Sequence, residues 1–161
     1  MKGKSEGFVR EIALPDEAAT ETLGARLARA LRPGDTITLA GDLGAGKTTL
    51  VRATLRALGI AEHVPSPTFT LVQHYDAPAL PIDHFDLYRL GCEAELEQLG
   101  LEDSLAGGVA LIEWPERAAS RLPSDSLRIE LELTGPQSRL AVLRGPPEWA
   151  ARLFESARNE S

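Results

Sequence analysis

Thr36-Ile37-Thr38-Leu39-Ala40-Gly41-Asp42-Leu43-Gly44-Ala45-Gly46-Lys47-Thr48-Thr49 runs from a β-prone stretch into a glycine-rich turn and on into a helical pattern. Its middle, Gly41 to Thr48, satisfies G-x-x-x-x-G-K-[ST]. The strand–turn–helix context is what that motif requires mechanically. Glycines let successive backbone N–H groups of Asp42, Leu43, Gly44, Ala45 and Gly46 curl inward as an anion nest. The helix that follows aims its positive end at the same place. Lys47 supplies an ammonium for terminal phosphates, and the Thr48 hydroxyl is placed for Mg²⁺. Thr49 either touches phosphate or braces the loop. The alternative is a glycine-rich turn that merely starts a helix beside a surface lysine.

Upstream, Pro15-Asp16-Glu17 opens a helical pattern carried by Leu23, Leu27, Ala30 and Leu31, which Arg32-Pro33-Gly34-Asp35 ends. Residues 1–10 read as a frayed lead-in. Downstream, the helix from Lys47 runs to about Leu58, with Gly59 as its stop. The prolines of Val64-Pro65-Ser66-Pro67-Thr68 force an extended start to the next stretch. Phe69–Tyr75 and Pro81–Leu87 read as strands joined by a turn around Asp76-Ala77-Pro78, and Glu93–Leu99 as a short helix. Val109-Ala110-Leu111-Ile112 is apolar throughout, as a strand buried on both faces must be.

Glu116–Leu122 is again helical. Leu127, Ile129, Leu131 and Leu133 alternate with polar residues as a half-buried strand, turned by Gly135-Pro136-Gln137 into Arg139–Arg144 as a hairpin. A last helix spans about Pro147 to Arg158. With no internal repeat or low-complexity linker, residues 1–161 read as one α/β layered domain.

The 17 basic and 24 acidic residues give a net charge of −7, which argues against strong independent binding to nucleic acid. Cys92 is the only cysteine, so neither an intrachain disulfide nor a cysteine-rich zinc site can form. No apolar run has signal-peptide or bilayer-spanning length. A soluble, cytoplasmic protein without membrane contact is expected.

Mg²⁺ also wants a carboxylate, and hydrolysis needs a group that orients water. Glu113 follows the buried run Val109–Ile112, so its carboxylate emerges at a strand's C-terminal end, where ligands of open α/β sheets bind. It is the candidate for Mg²⁺, directly or through water. Asp86, in His84-Phe85-Asp86-Leu87-Tyr88-Arg89, also sits near a strand end and is the candidate for positioning water or a supporting contact. His84 reads first as a packed histidine and Trp114 as core, while Arg89 is a possible internal arginine finger. His63 and His74 have no partners at metal-ligand spacing.

Four blocks together resemble the TsaE family of bacterial tRNA-modification ATPases. They are Gly41–Thr49, Ser66-Pro67-Thr68-Phe69-Thr70-Leu71, His84-Phe85-Asp86-Leu87-Tyr88-Arg89-Leu90 and Glu113-Trp114-Pro115-Glu116, within roughly residues 14–122. The resemblance implies a three-layer α/β/α P-loop NTPase fold with a mainly parallel central sheet, to which the C-terminal hairpin is added. It implies a weak Mg²⁺-dependent ATPase that works with a TsaB–TsaD complex to make N6-threonylcarbamoyladenosine in tRNAs reading codons that begin with A. Contact with tRNA would be indirect, through that complex.

Carried over by position, Lys47 and Thr48 contact phosphate and Mg²⁺, Glu113 is the second metal-associated ligand, and Asp86 serves ATP turnover. The resemblance also puts Thr68 in a switch-like segment, Glu17 near the nucleotide base, and Arg139 on the hairpin as a basic contact. Two other functions use the same loop: a small-molecule kinase, and a nucleotide-dependent binding module with negligible turnover.

Overall fold

A computed structural model describes residues 7–60, 71–77 and 80–155. Strand β1 (Phe8–Leu14) is followed by helix α1 (Glu17–Ala30), strand β2 (Thr36–Ala40) and helix α2 (Lys47–Ala57). Strands β3 (Val72–Ala77) and β4 (Leu80–Asp86) lead to a 3-10 turn at Leu87–Arg89 and two short helices, α3 (Ala94–Gln98) and α4 (Leu101–Gly107). Strand β5 (Val109–Glu113) enters a 3-10 segment, Pro115–Arg121. Strands β6 (Leu127–Leu133) and β7 (Arg139–Gly145), helix α5 (Pro147–Ala150) and a wide final turn, Ala151–Glu155, complete the order.

The strands form one seven-stranded sheet in the order β1-β7-β6-β2-β5-β4-β3. Its centre is parallel: β6 with β2, β2 with β5, and β5 with β4. Both flanks are antiparallel, through β1–β7–β6 on one side and β4–β3 on the other. The C-terminal hairpin predicted from alternation is β6–β7, and β1 is added to its outer edge. Strand β5 shows why the fold has three layers. Val109 and Leu111 join the core beneath α1 and α2, while Ala110 and Ile112 join a second core with Phe85, Leu96 and Leu101 on the opposite face.

Local chemistry sets the helix ends. Asp16 caps α1, its carboxylate accepting from Ala19 N–H at 3.0 Å. Inside α1, Gly24 lies so close to α2 that a Cβ there would stand 2.6 Å from the Ala53 Cβ. The two helices cross at this contact.

Three expectations need correction, and one element carried none. The lead-in reading of residues 1–10 fails at Phe8, because Phe8–Leu14 is an edge strand registered from Phe8↔Gly145 to Leu14↔Arg139. Helix α4 was not foreseen. The helix expected at Glu116–Leu122 is a 3-10 segment broken at Ala118, whose φ of −138° is not helical. The terminal helix is α-helical only over Pro147–Ala150, then widens through Glu155, and its predicted end at Arg158 lies outside the described residues. Thr68, His63 and the predicted strand start at Phe69 also lie outside them.

Candidate functional site

Strand β2 and the N-terminus of α2 hold the loop between them. Gly41 passes under the β6 backbone, where a Cβ would come within 2.5 Å of the Leu131 carbonyl oxygen. Gly46, at φ +102°, turns the chain into α2, and a Cβ there would meet Arg139 Nε at 2.7 Å. Arg139, on β7, instead donates from Nε to the Ala45 carbonyl at 2.8 Å, bracing the loop from outside.

Lys47 opens α2 and is 5% exposed. Its ammonium donates to the carbonyls of Gly41 and Asp42, the latter at 3.1 Å, and lies 4.0 Å from the centroid of the Trp114 ring. Burial holds its pKa below the ordinary 10.5, and the nearby carboxylates of Glu113, Asp86, Glu116 and Asp42 only partly oppose that. An ammonium short of water and surrounded by carbonyls is ready to transfer its hydrogen bonds to an incoming anion.

Opposite it, the Thr48 hydroxyl lies 3.0 and 2.8 Å from the two Glu113 carboxylate oxygens. Glu113 ends β5 at 2% exposure, and His84 Nε2 stands 2.7 Å from its Oε2. Asp86 ends β4 directly across from Glu113 in the parallel register. Its carboxylate accepts from Tyr88 N–H at 3.1 Å and so starts the 3-10 turn that carries Tyr88 and Arg89 to the site. Trp114 adopts φ +61°, a left-handed conformation rarely taken by a bulky residue. That conformation swings its indole over Lys47 and against Tyr88, with ring centroids 4.9 Å apart.

Lys47, Thr48, Asp86, Tyr88, Glu113 and Trp114 line a cavity of about 410 Å³ to which Leu43, Gly44, Gly46, Thr49, Arg89 and Arg139 also contribute. A second cavity of about 420 Å³ adjoins it, sharing Gly46, Thr49 and Arg139 and bounded by Glu17 and Gln137. Asp42 and Ala45 border a third cavity on the β6 side with Glu130 and Glu132, so their side chains do not line the first one. Leu43 is 65% exposed at the loop's tip. Three contacts were not legible from sequence: the His84–Glu113 hydrogen bond, the Tyr88–Trp114 stack and the Arg139–Ala45 brace. One signal was present for His84, since its spacing of two from Asp86 puts both on one face of a strand.

The oxygen donors suit Mg²⁺. A hydroxyl and a carboxylate stand in contact at the strand edge, and no cluster of three or more His, Cys, Asp or Glu among the described residues could hold a metal unaided. Mg²⁺ normally takes one or two carboxylates, keeps waters and completes its shell with substrate phosphates. No helix of the described residues is long and apolar enough to cross a membrane.

The family model described as "Threonylcarbamoyl adenosine biosynthesis protein TsaE" matches residues 14–141. The protein of Bacillus subtilis named tRNA threonylcarbamoyladenosine biosynthesis protein TsaE is 41% identical over 126 residues, covering 78% of this chain and 77% of its own length. Its namesake in Synechocystis is 46% identical over 119 residues, 71% of this chain and 74% of its own. The crystal structure of Bacillus subtilis YdiB superposes with a TM-score of 0.80 at 29% identity, covering 98% of this chain and all of the other. With its P-loop, its parallel central sheet and a matched span that takes in Glu17, Lys47, Thr48, Asp86, Glu113 and Arg139, the chain belongs to the TsaE family.

Proposed function

We propose that this chain is a Mg²⁺-dependent ATPase subunit that acts with a TsaB–TsaD complex in forming N6-threonylcarbamoyladenosine on tRNAs that read codons beginning with A. The observation that carries the reading is the Thr48–Glu113 contact, 2.8 Å at its shorter arm, beside the buried Lys47 ammonium. That combination has little value as a stabilising device, because it buries one positive and one negative group without pairing them directly. It has clear value around a nucleotide's terminal phosphates.

In this reading the loop amides and the N-terminus of α2 grip the phosphates, and Lys47 exchanges its carbonyl partners for phosphate oxygens. Thr48 and Glu113 would hold Mg²⁺, which when bound neutralises charge on the phosphates. Asp86, in register with Glu113, orients the attacking water. The cavity bounded by Glu17 and Arg139 takes the base side of the nucleotide. Trp114 and Tyr88 wall the site against bulk water.

Phosphate release from Mg·ATP, measured with and without the TsaB–TsaD pair, tests the proposal. Slow release alone and faster release with the pair is the expected result. Transfer of labelled phosphate to an added small-molecule acceptor would instead identify a kinase. Failure to bind ATP in a direct titration would remove the reading altogether.

A further inference from the structure

We propose that His84 is a positioning residue that fixes the plane of the Glu113 carboxylate for its metal-associated role. The inference rests on the functional reading above and adds a group that reading does not use.

The sheet sets the geometry. Across the β4–β5 pair, Asp86 stands opposite Glu113 and His84 opposite Leu111, so His84 reaches Glu113 along the diagonal. Both side chains are buried, His84 at 0% and Glu113 at 3% exposure. A carboxylate removed from water in this way must be met by hydrogen-bond donors. Among the described residues, two donors reach it, the Thr48 hydroxyl and His84 Nε2.

These donors do different work. Thr48 lies almost equally far from both carboxylate oxygens, at 3.0 and 2.8 Å, so it places the group without deciding how it rotates. The terminal torsion of glutamate is broad and roughly two-fold, and nothing intrinsic to the side chain fixes it. His84 contacts Oε2 alone, at 2.7 Å, from a strand in the middle of the sheet. That single contact breaks the symmetry. It commits Oε2 to the imidazole and, among the described residues, leaves Oε1 with only the Thr48 contact.

The other ring nitrogen argues against a purely structural role. His84 Nδ1 is buried and has no hydrogen-bond partner among the described residues. Buried polar atoms are seldom left this way, and an apolar side chain would fill the place without the cost. What histidine offers here that leucine does not is the Nε2–H donor. Partners of this kind behind a metal's carboxylate typically change metal affinity by about 10- to 100-fold when removed.

The test compares His84→Leu, which keeps the core apolar, with His84→Gln, whose amide can still donate toward Oε2. Mn²⁺ serves as the reporter ion, its free concentration read by electron paramagnetic resonance in the presence of ADP. ADP affinity is measured separately in EDTA. The expected result is a Mn²⁺ midpoint weakened about 10-fold or more for His84→Leu, near-wild-type behaviour for His84→Gln, and unchanged ADP affinity in EDTA for both.

An unchanged midpoint for His84→Leu would overturn the proposal, as would an equal loss of ADP affinity in EDTA or no recovery in His84→Gln. Should His84→Leu fail to give a cooperative thermal transition, His84→Asn takes its place, because its shorter amide falls short of Oε2. Wild-type protein that binds ADP with no Mn²⁺ dependence overturns this inference alone. Wild-type protein that binds no nucleotide overturns the ATPase reading.

Discussion

At the scale of single residues, the candidate site is a set of polar groups held out of water. Lys47→Ala removes an ammonium that terminal phosphates would otherwise meet. Hydrogen bonds to charged groups are worth about 1.5–3 kcal/mol each, so ATP should bind roughly 10- to 100-fold more weakly by calorimetric titration. Unchanged affinity would remove Lys47 from the site. The pH dependence follows from the direction of its shift. Burial lowers the free-state pKa from 10.5, whereas phosphate favours the ammonium. ATP affinity should therefore stay level at lower pH and fall once pH passes the lowered free-state value, with proton uptake on binding in that window. Folding responds with the opposite slope, because the unfolded chain holds this proton more tightly than the folded one, so the Lys47 contribution to stability rises with pH up to about 10.5. Titrations in buffers of different ionisation enthalpy would detect the uptake. Lys47, Thr48 and Glu113 were legible because each sits where a motif or a strand end dictates its chemistry. The role of His84 was not, because its spacing of two from Asp86 marks a shared strand face but not the diagonal contact with Glu113 on the neighbouring strand.

At the scale of elements, the α1–α2 crossing depends on a missing methyl group. Replacing a helix-interior glycine with alanine ordinarily gains up to about 1 kcal/mol. At Gly24 the new Cβ would meet Ala53 Cβ at 2.6 Å and the α2 backbone at 2.8 Å, and backbone cannot step aside cheaply. Gly24→Ala should therefore destabilise the protein by about 1–3 kcal/mol in urea denaturation, and a stabilised variant would refute the account. On the opposite edge, His74 of β3 faces Asp83 of β4 in register, with Nδ1 2.7 Å from that carboxylate and Nε2 3.0 Å from Asp76. The Asp83 hydrogen bond leads in raising its pKa above 6.5, helped by Asp76. A raised folded-state value means the pair stabilises fully below pH 6.5 and loses that contribution as pH climbs through the folded-state pKa. His74→Gln should flatten stability across that window. Element legibility divides along similar lines. Strand β5 could be read because four consecutive apolar residues admit few alternatives, and β6 because its period is two. Strand β1 could not, since six of its seven residues are at most half-buried on an exposed edge and its partner is β7, far along the chain. Helix α4 is short and starts from a glycine at φ +79°, a signal that also reads as a turn.

At the scale of the whole molecule, sheet order decides which distant segments meet, and sequence periodicity carries none of that order. The parallel centre brings the ends of β2, β4 and β5 together at one edge, which is where the loop, Asp86 and Glu113 converge. The C-terminal segment closes the structure elsewhere. Arg152 donates to the Ala30 carbonyl and to both Asp35 oxygens, while its guanidinium stacks 4.1 Å from the Trp149 ring. Trp149 in turn donates to the Asp125 carbonyl at 3.2 Å. One arginine thus ties the last described segment to the end of α1 and the turn before β2. The Arg152 and Asp35 side chains are 13% and 15% exposed, so removing either partner strands the other in a largely dry place. Arg152→Leu and Asp35→Asn should each cost about 2–4 kcal/mol, a fall in Tm of roughly 2–4 °C per kcal/mol for a chain of this size. The double variant should lose less than the two single losses added together, because each single variant leaves an unpaired charge that the double does not. Strict additivity would show that the two residues act independently. Neither residue lines the cavity around Lys47. Mg·ATP affinity measured well below the lowered Tm should therefore stay at the wild-type value, separating loss of stability from damage to the site.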